Sequence, residues 1–275
     1  MGLREMGFTI DRKVCTVMIF GLVALLLSTF SWLAWQSLVL LLLFMALVYT
    51  LQFTERSSKT RLNLLIWPCV VVCGFLLAVY RPEVFTYPVV FSANQLHEAG
   101  KPFMLSVNVA KLLAGWFVIV AYGCISIFYF NRRLAVELVS VVIIGLIING
   151  FAIWLLDLSF YLKNWLFVAQ FAVINLLATC VAEEAFLRVL IQQRIMHWCR
   201  NSPKSVAFWL PLIISTGIFI LVHGNKLSGN QTLVYGLAGF CYGLIYSLTG
   251  RVWLSIALHG TVNLMHFSFL TYPIL

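Results

Sequence analysis

Only two of the nine acidic side chains in this chain lie deep inside an apolar run. They are neighbours, Glu183 and Glu184, in Thr179-Cys-Val-Ala-Glu-Glu-Ala-Phe-Leu-Arg188. Six others fall at ends or in loops, and Glu137 lies near the start of another apolar run, close to Arg132 and Arg133. Removing an ionisable group from water is costly, so the buried ones are the informative ones. Arg188 follows Glu184 by four positions, which places the two on one helix face where they can pair. Glu183 is turned about 100° from Glu184 and has no such partner in its own segment. A buried ion pair that fixes helix packing accounts for Glu184 and Arg188. It does not account for a second carboxylate beside the first, and an unpaired carboxylate in a poorly solvated site is suited to act as a general base.

Two further polar pairs interrupt late apolar runs. Phe219 and His223 are four apart, and so are His259 and Asn263. Taken singly, such residues more often tie helices together than do chemistry. Together, a carboxylate pair, two histidines and an asparagine in three late segments can converge on one pocket. His266, seven residues after His259, reads as a helix-end residue, and His97 and His197 read as loop or interfacial. Gly236, Gly239 and Gly243 give one segment small residues at close helical spacing, which suits tight helix packing.

The elements that carry these residues follow from composition. The 275 residues are 62% hydrophobic and 10% charged, with a mean hydropathy of +0.99. Soluble domains run near 45–50% apolar and about 25% charged, so a water-soluble globule, a disordered chain and a disulfide-stapled secreted domain are excluded. A span needs about 20 apolar residues. Nine apolar runs are present: Val14–Phe30, Trp32–Phe53, Leu62–Tyr80, Leu112–Phe130, Leu134–Leu156, Trp165–Gln192, Val206–Val222, Thr232–Leu248 and Val252–Leu270. The expected fold is an all-α polytopic transmembrane bundle of eight or nine spans. Residues 1–160 form helices of unassigned role, and residues 161–275 hold the polar clusters in the last four spans. Residues 81–111, with Pro82, Pro88 and Pro102, read as the one long loop, with a short interfacial helix.

With the N-terminus inside and nine alternating spans, inner segments carry twelve Lys and Arg and outer segments five, with Arg188 inside a span. That bias supports a cytoplasmic N-terminus and accounts for the net charge of +9 without nucleic acid. The seven cysteines form no CxxC pair and read as small buried hydrophobes.

Glu-Glu-x-x-x-Arg (183–188), Phe-x-x-x-His (219–223) and His-x-x-x-Asn (259–263) occur in that order, with a glycine-rich segment between the last two. Over about residues 165–270 this resembles the CPBP family of intramembrane endopeptidases, the CAAX prenyl protease type II and bacteriocin-processing (Abi) group. The resemblance implies that Glu183 activates water, that His223 works with it, and that His259 and Asn263 stabilise the oxyanion. It makes Glu184, Arg188 and Phe219 supporting groups, and residues 161–275 a catalytic core. It implies an endopeptidase acting on a membrane-anchored or membrane-adjacent protein or peptide, in contact with the lipid bilayer, with no cofactor required. Two histidines and a glutamate also form an accepted zinc set, so Glu183, His223 and His259 are the ligands if Zn or another divalent metal is used. The site is expected nearer the cytoplasmic side, and short loops suggest a bacterial inner membrane. A non-catalytic immunity or partner-binding protein of the same fold is the competing reading; a proton-relay transporter would need related halves or broken helices.

Counting residues from the inner face leaves a tension. His259 lies roughly 12 Å in, Glu183 roughly 16 Å and His223 roughly 25 Å. The three meet if the helix ending at His223 begins outside the bilayer, as Ser202-Pro203 suggests.

Overall fold

In the computed structural model the described residues are 12–56, 60–93, 96, 102–124, 132–223 and 229–272. They divide into two compact units, residues 1–85 and 86–275. The first holds α1 (Arg12–Thr29), α2 (Trp35–Arg56) and α3 (Thr60–Val79). Leu41, Phe44, Met45 and Val48 bury one face of α2, and α2 packs along α3.

The second unit opens on a feature not expected from the sequence. Residues 81–111 hold an antiparallel hairpin of β1 (Val89–Ala93) and β2 (Phe103–Ser106). Phe91 pairs with Leu105 and Ala93 with Phe103. Pro88 and Pro102 stand just before the two strands, where a missing N–H breaks no rung. The hairpin is fastened by aromatic rings. Phe91 stacks on Phe167 at 4.8 Å, and Phe103 packs against Phe267 and Tyr272. Phe171 and Phe267 stack at 4.0 Å beneath them.

The helices that follow are α4 (Val109–Ala121), α5 (Arg132–Leu156), α6 (Trp165–Asn201), α7 (Lys204–His223), α8 (Gly229–Thr249) and α9 (Val252–Phe269). Among the described residues, six helices are long and apolar enough to cross a membrane: α2, α3, α5, α6, α7 and α8. The chain is thus an all-α polytopic membrane bundle with one small hairpin.

Two lengths depart from expectation. α4 has 13 residues, about 20 Å, which is short of the roughly 30 Å hydrocarbon core. It starts at an Asn108 cap and stops at Ala121, not at Phe130; residues 125–130 lie outside the described residues. α6 runs for 37 residues, nine beyond the expected end at Gln192. Two stretches of it, Asn175–Cys180 and Ala185–Gln192, are π-helical and flank the turn Val181–Glu184. Such widened turns recur at functional sites.

Glycines set the spacing of α6, α7 and α8. A Cβ at Gly239 would lie 2.6 Å from the Phe219 ring, and one at Gly243 would lie 2.7 Å from both Arg188 and Leu212. The glycine row of α8 is therefore what lets these helices close on the Arg188 side chain. Arg251 reaches Glu137 at 2.6 Å and joins the start of α9 to α5.

Candidate active site

The acidic pair sits midway along α6, and its two members face different surroundings. Glu184 and Arg188 are fully buried, and Arg188 Nε donates to Glu184 Oε2 at 2.7 Å. The guanidinium continues to Gln192 Oε1 at 2.8 Å, to Ser215 Oγ at 3.1 Å and to the Gly239 carbonyl at 3.3 Å. Gln192 in turn donates to the Gly243 carbonyl and to Ser247 Oγ. The predicted pair is present, and it nails α6 to α7 and α8.

The other oxygen of Glu184 accepts from His259 Nδ1 at 2.9 Å. That bond fixes the imidazole and points Nε2 toward Glu183, whose Oε2 lies 4.0 Å away. The His259 ring is stacked on Tyr242 at 4.7 Å, which locks its plane. His223 is held in the same manner. Its Nδ1 lies 2.8 Å from the Phe219 carbonyl, an atom that can only accept, so Nδ1 carries the proton and Nε2 is left for other work. Its ring packs between Phe219 and Tyr235. Asn263 donates to Asn175 Oδ1 at 3.2 Å and, weakly, to Cys180 Sγ at 3.9 Å.

Glu183, Phe219, His223, His259 and Asn263 line one cavity of about 230 Å³. Glu184 and Arg188 do not line it; they lie behind His259. His266 does line it, in company with Phe171 and Tyr272. It lies in the last turn of α9, as expected, and it is also a wall residue of the cavity. His197 is exposed on α6, and His97 lies outside the described residues.

The expectation that Glu183 lacks a partner is corrected. Lys111 Nζ, in the first turn of α4, lies 2.7 Å from Glu183 Oε1. Reading by helical spacing missed it because the two are 72 positions apart. The approach is set by Gly115, where a Cβ would fall 2.5 Å from the Ala182 Cα, and by Trp116 Nε1, which donates to the Leu177 carbonyl.

The cavity is lined by the last turn of α7, the first half of α8, the second half of α9 and the first half of α6. It lies toward the end where α7 finishes.

A divalent ion fits this arrangement poorly. Among the described residues no three His, Cys, Asp or Glu side chains are grouped so as to hold a metal. One oxygen of Glu183 is already taken by an ammonium.

The spacing of the motifs and the buried carboxylate–imidazole geometry meet in one segment, and the comparison with protein families falls on the same residues. Residues 163–265 match the model of the Rce1-like family, type II CAAX prenyl endopeptidases. No curated protein and no solved structure matches the chain. The Rce1-like segment spans α6 to α9 and contains Glu183, His223, His259 and Asn263. The chain is thus an integral membrane protein in which one segment is similar to the type II CAAX prenyl endopeptidases. Lys111 and the hairpin lie ahead of the matched residues.

Proposed function

We propose that the chain hydrolyses a peptide bond of a membrane-anchored protein or peptide, of which a prenylated C-terminal segment is the probe class suggested by the family. The observation that carries this is the convergence of Glu183, His223, His259 and Asn263 on one cavity beside a buried Glu184–Arg188 pair. Peptide hydrolysis needs an activated nucleophile, a proton shuttle and a stabiliser for the developing oxyanion.

Water is the nucleophile in this reading. The 4.0 Å between Glu183 Oε2 and His259 Nε2 is too long for a direct hydrogen bond, and one water bonded to both spans it. Glu183 takes the proton as oxygen attacks the carbonyl carbon. His223, with Nδ1–H tied to Phe219, uses Nε2 to orient that water or share its proton. Asn263 donates through its side-chain amide to the tetrahedral oxygen. His259 does so when Nε2 is protonated, with Glu184 stabilising the imidazolium through Nδ1. The proton on Glu183 then goes to the leaving amine. No step uses a metal.

The test is terminal-peptide profiling of membrane fractions from cells with wild type or Glu183→Gln at matched expression. The proteolytic reading expects a set of new termini that vanishes in the variant. Identical termini, with a phenotype that survives Glu183→Gln, would replace it with a partner-binding role.

A further inference from the structure

Lys111 bonds Glu183 from outside the family match, and packing alone does not require it there. α4 is already clamped to α6 by the glycine contact at Gly115–Ala182 and by the Trp116–Leu177 hydrogen bond. The ammonium adds no further joint that these two lack. What it does reach is one particular atom, Oε1 of Glu183, at 2.7 Å. The Asn108 side chain caps the same turn by accepting from the Lys111 backbone N–H at 3.0 Å, so the base of the lysine is fixed. The hairpin is held by Phe167, Phe171, Phe267 and Tyr272, and it feeds directly into that cap.

We propose that Lys111 is the positioning cation of the carboxylate that activates water, delivered by the hairpin and α4. The idea rests on the proteolytic reading above. By binding Oε1, the ammonium fixes the carboxylate rotamer and turns Oε2 toward His259 and the cavity. It also balances a carboxylate that sits next to another, Glu184, in a poorly solvated place. The remaining titratable groups around Glu183 are Cys180 from α6, His259 from α9, His223 from α7 and Tyr235 from α8. None of these carries a permanent positive charge, so Lys111 has no substitute among them. A side-chain carboxylate freed to rotate loses its alignment with the attacked carbonyl, and misplacement of about 1 Å costs on the order of 100-fold.

The experiment uses the full chain in proteoliposomes with a fluorescence-quenched farnesylated CAAX-type peptide as probe. Lys111→Met is expected to lower kcat by about 10- to 100-fold while KM changes less than about 3-fold. Lys111→Arg, which keeps the charge and the donors, is expected to retain most of kcat. Ethylammonium in the buffer should raise the rate of Lys111→Ala several-fold, whereas tetramethylammonium, which has no N–H, should not. That rescue is read on folded protein and separates positioning from loss of structure. If Glu183→Gln is inactive but Lys111→Met runs at the wild-type rate, or loses only KM, the role of Lys111 is overturned. A Lys111→Ala loss that neither Arg nor ethylammonium repairs overturns it too. Wild type no faster than Glu183→Gln overturns the proteolytic reading itself, and the positioning role with it.

Discussion

Arg188→Met tests whether charge or hydrogen bonding holds the catalytic helices together. Arg188 is fully buried and has four partners: the Glu184 carboxylate, Gln192, Ser215 and the Gly239 carbonyl. Side-chain hydrogen bonds between membrane helices average about 0.6 kcal/mol, so the three neutral ones come to about 2 kcal/mol together. Removing one member of a buried ion pair costs about 3–5 kcal/mol, mainly because the survivor is left uncompensated. The survivor here is Glu184, with no solvent exposure. The expected cost of Arg188→Met is therefore about 3–5 kcal/mol, or roughly 10 °C in the thermal midpoint of a unit of this size. Glu184→Gln alone strands the guanidinium and should also destabilise. The double variant Arg188→Met/Glu184→Gln leaves no unpaired charge, and an amide oxygen at position 184 still accepts from His259 Nδ1. It should recover most of the loss, with a coupling of about 2 kcal/mol or more. The readout is a double-mutant cycle from SDS-titration unfolding in mixed micelles. Additive losses would refute the argument and put the stability in the neutral hydrogen bonds instead.

Two glycines of the second unit should respond oppositely to the same change. Gly115→Ala forces a methyl group to within 2.5 Å of the Ala182 Cα and should cost about 1–3 kcal/mol and lower activity by moving Lys111; Gly150→Ala meets nothing within 4 Å and should stabilise by about 0.4–1 kcal/mol in the same unfolding assay. Asn263→Ala is expected to lower kcat by about 10²–10³ with little change in KM, as for loss of one oxyanion donor; steady-state kinetics on the farnesylated peptide check it. Lys163 precedes α6, where its ammonium meets the Tyr161 and Leu270 carbonyls, and burial lowers its pKa from 10.5 to about 8. The folded chain then gives up this proton before the unfolded chain does, so unfolding free energy should rise with pH between about 8 and 10.5; Lys163→Met should flatten that part of a melting-temperature profile.

Much of the site was legible because helical spacing is a local property. Glu184 with Arg188, Phe219 with His223, and His259 with Asn263 each lie four apart. The structure finds Glu184 and Arg188 bonded and the ring of His223 against that of Phe219. The role of the glycine row was legible for the same reason. What escaped depends on contacts between distant segments or on backbone detail. The hairpin strands are only five and four residues long, and prolines beside them read as loop punctuation. The tension in depth among His259, Glu183 and His223 arose from counting 1.5 Å per residue inward from one face. α6 is longer than that count allowed, it carries two π-helical stretches, and the three residues meet toward the end where α7 finishes.

Lys111 is the sharpest case, because 72 positions separate it from Glu183 and no local spacing links the two. In the fold it closes an alternating series: Lys111, Glu183, His259, Glu184, Arg188. Each carboxylate has its own permanent cation, and the imidazole lies between the two acids. An unpaired Glu183 would have been a stronger base but a costlier group to bury. Pairing it through one oxygen and leaving the other toward His259 compensates burial at Oε1 and, on the proposed reading, keeps Oε2 for water. The neighbouring acids are thus not redundant. Glu184 spends both oxygens on structure, on Arg188 and on His259, and that is what allows Glu183 to keep one free.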